Sequence, residues 1–511
     1  MFRRRIVVLT IFLFSHRAFS QEFLSLEDAI QLAVRNNYEI NKQQYAIDAA
    51  KAQYMQASGA LDFEVGAEAS YSQKHTPVDK DDPNYTVQDY GSVAIYSDDA
   101  TMRQTAGTVF VQKLFSFGLQ SKLSYTMNRQ KNTQDYLYSS NFPDEEKIKE
   151  QKARNYGTIS LELSLPLFKS FSDSITAKEL ENARSYIEQM NEQLKHTVSK
   201  TVVEVSQKYY QYFLAYNNLL LLQNLQQKIE SRNKNMDSLI RAGVRSRNDL
   251  LAMQVNALEN QRNIDSANVQ FQSARADLAQ ALSVRSVLPP PTKDSIPAVP
   301  ITSADDAAQD EIDDDFTAKI VEKRSDLIAL KKSMEAAEKK IRIAKINARP
   351  DATLALGIGA TGTQYANDAG SFFVSGAKNI RGIDISTTVS VSAKLGNTAK
   401  KGAEEQAIAE YRSLASDYEN AVNTLEIQVK NAAEKLAVYK KSVQSADEVL
   451  ALQKNLYENE QKLFNAGLIT VDTLLSQDEK YISAENSYYQ VLINYLLSVL
   501  EYKYYTATMF F

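Results

Sequence analysis

Two periodicities take turns along this chain of 511 residues. One repeats every seven positions and predicts long packed helices. The other repeats every two and predicts strands. From about 174 to 241, Val198, Val202, Val205, Tyr209, Tyr212, Tyr216 and Leu219 recur at steps of four and three. From about 246 to 285, Leu250, Ala257, Ile264, Phe271 and Leu278 recur every seven. The pattern returns from about 400 to 465 with Val422, Val429, Leu436, Val443, Leu450, Tyr457 and Phe464, and to about 506 with Leu468, Leu475, Ile482, Tyr489 and Leu496. A sustained heptad imposes left-handed supercoiling, so these stretches are expected to pack as coiled coils. Between the members of each pair stand Ala242-Gly243 and Ala466-Gly467. Glycine there supplies the positive φ of a tight helix–helix turn.

The two-residue pattern appears in four places. At 61–71, Leu61, Phe63, Val65, Ala67, Ala69 and Tyr71 share one face, and Asp62, Glu64, Gly66, Glu68 and Ser70 the other. At 159–167, Ile159, Leu161, Leu163, Leu165 and Leu167 lie opposite Ser160, Glu162 and Ser164. Residues 353–360 and 383–394 alternate likewise, around Leu354, Leu356 and Ile358 and around Ile383, Ile385, Val389 and Val391. Each run is about the 9–11 residues that a tilted membrane strand needs. A weaker alternation at 105–128 suggests a hairpin around Phe117-Gly118, without fixing whether it joins the same sheet. The rest of 72–158 is polar and rich in Tyr, Asp and Asn, as an exposed loop would be.

Helix–strand–strand–hairpin thus occurs twice. Shorter helices at 24–58 and 316–349 open the two copies, the first with Ser25 and Asp28 placed for capping. Each, stacked end to end on a return helix of about 40 residues, would match a long helix of about 68, giving a rod about 100 Å long with strands at one end and Ala-Gly turns at the other. Asn37-Tyr38-Glu39-Ile40 aligns with Arg324-Ser325-Asp326-Leu327 at an offset of 287 residues, whereas the Ala-Gly turns are offset by 224. The first copy therefore carries 63 extra residues, expected in the Tyr-rich loop region, because loops tolerate insertion and coiled coils do not. The expected organisation is a signal at 1–20, a first repeat at 21–285, a linker at 286–315 and a second repeat at 316–511. The linker holds half of the ten prolines and an acidic run through Asp315, and reads as a solvated tether.

Composition adds the compartment. Arg3-Arg4-Arg5, the mostly apolar Ile6 to Phe14 and Ala18-Phe19-Ser20 form a secretory signal pattern. The formal net charge is −5, and loss of the signal's four arginines would take it near −9, a poor balance for binding nucleic acid. There is no cysteine, hence neither disulfide nor thiolate metal site. His16, His75 and His196 are far apart in sequence, and no metal or triad constellation, nucleotide loop or cofactor motif appears, so neither an enzyme nor a cofactor is expected.

Several short segments carry a family resemblance. Ser25-Leu26-Glu27-Asp28-Ala29-Ile30 with Asn36-Asn37, Arg324-Ser325-Asp326-Leu327, Leu165-Pro166-Leu167-Phe168 and Ala466-Gly467-Leu468-Ile469 together resemble the TolC-like outer-membrane efflux proteins, in order and spacing across nearly the whole mature chain. The resemblance implies a mainly α fold with a membrane β-barrel. Each chain would give four strands to a trimeric, twelve-stranded barrel and two helical hairpins to an α-helical periplasmic tunnel. The residues agree: four strands leave two raw edges, an eight-stranded barrel is filled by its own side chains, and three copies are the fewest that give both closure and a lumen.

The same resemblance places the closed periplasmic entrance at the Ala-Gly turns, against a periplasmic adaptor. Gly243 and Gly467 make the turns, and Asp249 and Asp472 stand just beyond them, Asp472 one residue short of the first-copy spacing, where Thr473 takes the matching place. An aspartate there can ring the entrance or stabilise the first turn of its helix through the macrodipole. Arg241, Arg245 and Arg247 make the first turn basic and could clasp an aspartate on a neighbouring helix or remain solvated. Asp62, Glu64, Glu68, Glu162 and Asp384 are expected to face an acidic barrel lumen. The expected function is passive export: a homotrimeric duct in outer-membrane lipid, joined through an adaptor to an inner-membrane pump of an efflux or type I secretion system. A periplasmic coiled-coil adaptor or structural protein outside the membrane is the alternative.

Overall fold

The computed structural model describes residues 23–77, 88–89, 94–138, 152–241, 243, 245–292 and 314–509. The signal at 1–20, Ala242 and most of the linker lie outside the described residues. In chain order the elements are α1 (Leu26–Asn36), α2 (Tyr38–Gly59), β1 (Phe63–Thr76), β2 (Gln88–Asp89), β3 (Ala94–Leu114), β4 (Gln120–Tyr138), β5 (Arg154–Pro166), α3 (Ile175–Arg241), α4 (Arg247–Ala281), α5 (Asp314–Lys323), α6 (Ser325–Ala348), β6 (Asp351–Tyr365), α7 (Ala369–Lys378), β7 (Ile380–Ser392), α8 (Thr398–Asn465) and α9 (Val471–Tyr505). The chain divides into two compact units that cut across the sequence repeats. Of the described residues, one comprises those within 23–49, 187–333 and 414–509, and the other those within 50–186 and 334–413.

In the helical unit the heptad positions of α3 and α8 are mostly buried as expected, but those expected on α9 (Leu475, Ile482, Tyr489 and Leu496) are only half-buried, and its buried stripe runs instead through Val471, Leu474, Asp478, Leu492, Tyr495 and Tyr502. Val205, Tyr209 and Tyr212 of α3 pack with Phe271 and Leu278 of α4, while Leu436 and Val443 of α8 pack with Leu492, Tyr495 and Tyr502 of α9. The repeat is exact in its returns: α4 and α9 are both 35 residues long, and α3 and α8 are 67 and 68. The opening helices differ from expectation, because each is broken in two. Asn37 leaves the helical conformation with ψ near 127°, and its side-chain oxygen accepts from the amide nitrogens of Glu39 and Ile40. Arg324 occupies the equivalent break between α5 and α6. The first part of the supposed tether is docked: Leu288 is buried, Leu24 N donates to Pro290 O, and the Tyr212 hydroxyl donates to Pro289 O at 2.9 Å. A buried tyrosine hydroxyl needs an acceptor, and the Pro289 carbonyl supplies it. Burial also raises the Tyr212 hydroxyl pKa well above its usual value.

The second unit is built on one antiparallel sheet in the order β1-β3-β4-β5-β6-β7, with short β2 beside β3. The four expected strands are present with shifted ends, but the count of four needs correction. The weak alternation at 105–128 belongs to β3 and β4, a full hairpin inserted between β1 and β5, so six long strands stand side by side. Phe110 shows why the signal was weak. It sits on the polar face, as do Met102 and Leu114 of the same strand, and lies over Gly66, where an added Cβ would be 2.3 Å from its ring, with Lys122 Nζ 4.6 Å from the ring centroid. The turn at Gly118 has φ 95°, which glycine adopts freely.

Helix α7, between β6 and β7, lies back on the sheet through small residues. A Cβ on Gly376 would meet the Gly157 backbone at 2.7 Å, and the Tyr125 hydroxyl donates to Phe373 O at 2.7 Å. Gly376→Val is expected to destabilise this unit by about 1–3 kcal/mol through overpacking, read as a lower melting temperature of the purified protein. No shift would mean the helix is not tightly seated.

Candidate functional site: a two-faced strand wall and the hairpin tips

The sheet register sorts side chains into rows that cross every long strand. Val65, Val111, Leu123, Leu161, Ile358 and Ile385 are successive partners in one row. All six are exposed, with Val65 and Ile385 at 76%. One residue along, on the opposite face, the row reads Glu64, Gln112, Lys122, Glu162, Gly357 and Ser386. A second row on that polar face runs Glu68, Thr108, Thr126, Thr158, Thr361 and Gly382, with threonine hydroxyls paired across strands at 3.2 Å (Thr108 and Thr126) and 3.1 Å (Thr158 and Thr361). A sheet in water hides its apolar face and wets the polar one. Here an apolar face six strands wide is left uncovered except where α7 sits.

Four of the five expected lumen acids stand on the polar face. Gln112 donates to Glu64 at 2.5 Å, Thr361 donates to Asp384 at 3.3 Å, Glu162 is in register opposite Lys122, and Glu68 ends the threonine row. Asp62 does not belong with them. It lies in the turn before β1, its amide donating to Gly59 O at 3.1 Å. The chain needs that turn to leave α2, so the alternation begins at Phe63 rather than Leu61.

At the hairpin tips Gly243 and Gly467 have φ of 71° and 77°. Leu468 N donates to Leu463 O and Gly467 N to Phe464 O, the bonding of a Schellman end, and Leu468 is exposed rather than part of the α9 stripe. Asp249 completes a capping box: it accepts from Ser246 N at 2.9 Å while Ser246 Oγ accepts from Asp249 N at 3.2 Å. Thr470 and Thr473 cap α9 in the same places, and Asp472 is an exposed first-turn residue. Arg245 reaches the other hairpin, but its partner is not an aspartate. It donates to Phe464 O at 3.0 Å, with its guanidinium 4.4 Å from the Phe464 ring centroid. Arg241 and Arg247 are exposed.

A buried ion pair that no pattern in the sequence announces links the two hairpins. Arg232 of α3 makes a two-pronged ion pair with Asp478 of α9, and its Nη2 also donates to the Tyr457 hydroxyl of α8 at 3.3 Å. The two charged side chains are 10% and 3% exposed. Burial opposes the Arg232 charge, yet Asp478 and Tyr457 outweigh it and raise its pKa. The repeat puts Leu456 and Gln254 at the equivalent positions, so the pair occurs in one copy only, and no periodicity could announce it.

His196 of α3 has Asp326 3.8 Å from Nδ1, with Arg324, Lys200 and Tyr504 nearby. Burial lowers its pKa against the pull of Asp326, and Arg324 and Lys200 add to the lowering. A folded pKa below the unfolded one means stability fully present above the unfolded value, about 6.5, and lost as pH falls from there through the lower folded value. The melting temperature is therefore expected to drop between about pH 7 and 5, and less so in His196→Gln. An equal drop in both proteins would assign it to other groups.

Among the described residues no group of acidic and histidine side chains could hold a metal ion, and no helix is long and apolar enough to cross a membrane. The latter says nothing of strands.

No protein-family profile matches the sequence, and no curated protein is similar to it in sequence. Solved structures are similar in fold. A membrane protein from Pseudomonas aeruginosa superposes with a TM-score of 0.61 at 15% identity, covering 94% of this chain and 92% of its own. The CmeC outer membrane channel of Campylobacter jejuni gives 0.60 at 12%, covering 95% and 86%. The open MtrE outer membrane channel of Neisseria gonorrhoeae gives 0.59 at 14%, covering 94% and 88%. The chain has the TolC-like fold.

Proposed function

We propose that the protein is a homotrimeric outer-membrane channel, the passive exit duct of a tripartite efflux or type I secretion system. The observation that carries this reading is the row from Val65 to Ile385, six exposed apolar side chains backed by a row of polar ones. Lipid on one side and water on the other is the environment that suits both faces. A coiled-coil adaptor outside the membrane would leave that row in water. The edges β1 and β7 have no partner on their outer sides among the described strands, and an open edge is not tolerated in hydrocarbon. Pairing β1 of one copy with β7 of the next satisfies both. Exposed apolar stripes on the helices, Leu251, Val255 and Leu258 on α4 and Val449, Leu452 and Leu456 on α8, support the same self-association.

The turns at Gly243 and Gly467 are the proposed entrance, with exposed Leu468 offered to a periplasmic adaptor and Asp249 and Asp472 facing the opening. Arg245 and the Arg232–Asp478 pair hold it, while exposed Arg247 adds positive charge at the turn. The polar face, with Glu64, Glu68, Glu162 and Asp384, lines the lumen. No step needs a cofactor or a catalytic group; the work comes from an inner-membrane pump. The test is membrane fractionation of the full chain followed by recording from the purified protein in planar bilayers. Outer-membrane recovery and stepwise conductance are expected. A water-soluble protein that never conducts would remove the reading. Reduced cation block in Asp249→Asn would support its place at the entrance, and unchanged block would leave it as a helix cap.

A further inference from the structure

We propose that the assembled barrel has eighteen strands, six from each of three copies, and is a wide exit that does not select cargo by size. The inference rests on the trimeric channel reading above and extends it. The residues themselves set the number of strands per copy. Fourteen residues of β1, from Phe63 to Thr76, pair with β3, while β4 pairs with β5 from Gln120–Ser164 to Gln130–Arg154. The β3–β4 hairpin is therefore a piece of wall, bonded on both sides, and neither a plug nor a surface loop. Its faces agree with the rest. Val109, Val111 and Leu123 continue the exposed apolar face, while Gln104, Thr108, Gln112, Ser124, Thr126 and Asn128 continue the polar one.

An inserted hairpin adds two strands, never one. Strand direction still alternates from β1 to β7, so these edges run oppositely and can pair between copies in the antiparallel sense used throughout the sheet. Part of the surplus of the first repeat thereby becomes structural: residues 94–138 widen the ring. Barrel diameter grows roughly linearly with strand number, so eighteen strands give a ring about half as wide again as twelve. At 16–18 strands a barrel holds an open aqueous channel rather than a side-chain core. The polar face that would line it is made mainly of hydroxyls, amides, glycines and a few charges, with Phe110 folded over Gly66 and Met102 and Leu114 towards the two ends of β3 as large apolar exceptions. Size selection then falls to the helical unit, where the two hairpins are clasped.

The test is electron cryo-microscopy of the full-length protein in lipid nanodiscs, with the copy number measured independently by native mass spectrometry. Three copies and eighteen strands in cross-section are expected. Three copies with a twelve-stranded ring, the 94–138 hairpin lying outside the wall, would overturn the inference and leave the channel reading intact. A copy number other than three would instead overturn the trimer. A second measurement uses neutral polymers added from the barrel side of a bilayer. Deleting residues 78–152, which joins β1 directly to β5, is expected to lower the radius of the largest polymer admitted to about two-thirds. An unchanged threshold in a folded variant would count against the wide exit, and if the variant does not fold the strand count still decides.

Discussion

Arg232→Ala is expected to destabilise the helical unit by about 3–5 kcal/mol, the cost of leaving one buried charge without its partner. Asp478 is 3% exposed and would lose both prongs of the guanidinium, while the Tyr457 hydroxyl would lose a donor. Lys228 also donates to Tyr457 at 3.1 Å, but no ion pair joins it to Asp478 among those the described residues show, so it does not replace Arg232. Melting of the purified protein measures the loss. In a bilayer the same variant should conduct more often at rest, because the pair ties α3 of one hairpin to α8 and α9 of the other. The double variant Arg232→Met with Asp478→Leu separates the two effects: it removes both charges at once and should recover much of the stability without recovering the clasp. A single variant as stable and as quiet as the parent would show that the pair holds nothing. Arg245→Ala should act in the same direction but less strongly, since it loses one hydrogen bond and a ring contact.

The second large effect is expected from two adjacent residues on β7. Ile385→Arg should cost about 2–4 kcal/mol in a membrane, the penalty for arginine near the bilayer midplane on the lipid face of a barrel, while Ser386→Arg should cost close to nothing. Both positions are exposed, so in a water-soluble sheet the two substitutions would be nearly equivalent. The asymmetry therefore reports lipid on one face only. Folding into liposomes, followed by denaturant titration of each variant, measures it. Equal costs would place the Ile385 row in water and withdraw the membrane from the argument. Ile385 also lies on the strand proposed to pair with a neighbouring copy, so the same variants give a reading on assembly through their migration as trimers.

How much of this was written in the chain can be followed residue by residue. The heptads set the long helices to within a few residues, since burial every three to four positions leaves little freedom over sixty residues. Gly243 and Gly467 marked the turns because only a positive φ closes a helical hairpin so tightly. The four clear alternations were strands for a similar reason: a period of two can be satisfied only by a pleat with different surroundings above and below. Breaks within helices were harder. Asn37 and Arg324 sit in sequences that keep a helical rhythm, and the break rests on a local competition for backbone hydrogen bonds that periodicity does not sense.

Four acids of the polar face, Glu64, Glu68, Glu162 and Asp384, could be placed from alternation, because strand parity alone decides the face. Asp62 shared that parity and still fell outside, since parity does not say where a strand starts. By itself, then, the sequence determined the periodic things: two hairpins of supercoiled helices, a two-faced wall, and a first copy longer than the second by 63 residues. Only the tertiary structure decided what joins elements distant along the chain. It turned part of the surplus into the β3–β4 hairpin, because register between strands is a property of pairs. It also brought Arg232 to Asp478 across 246 residues, a contact that depends on how two helices pack and that neither helix encodes alone.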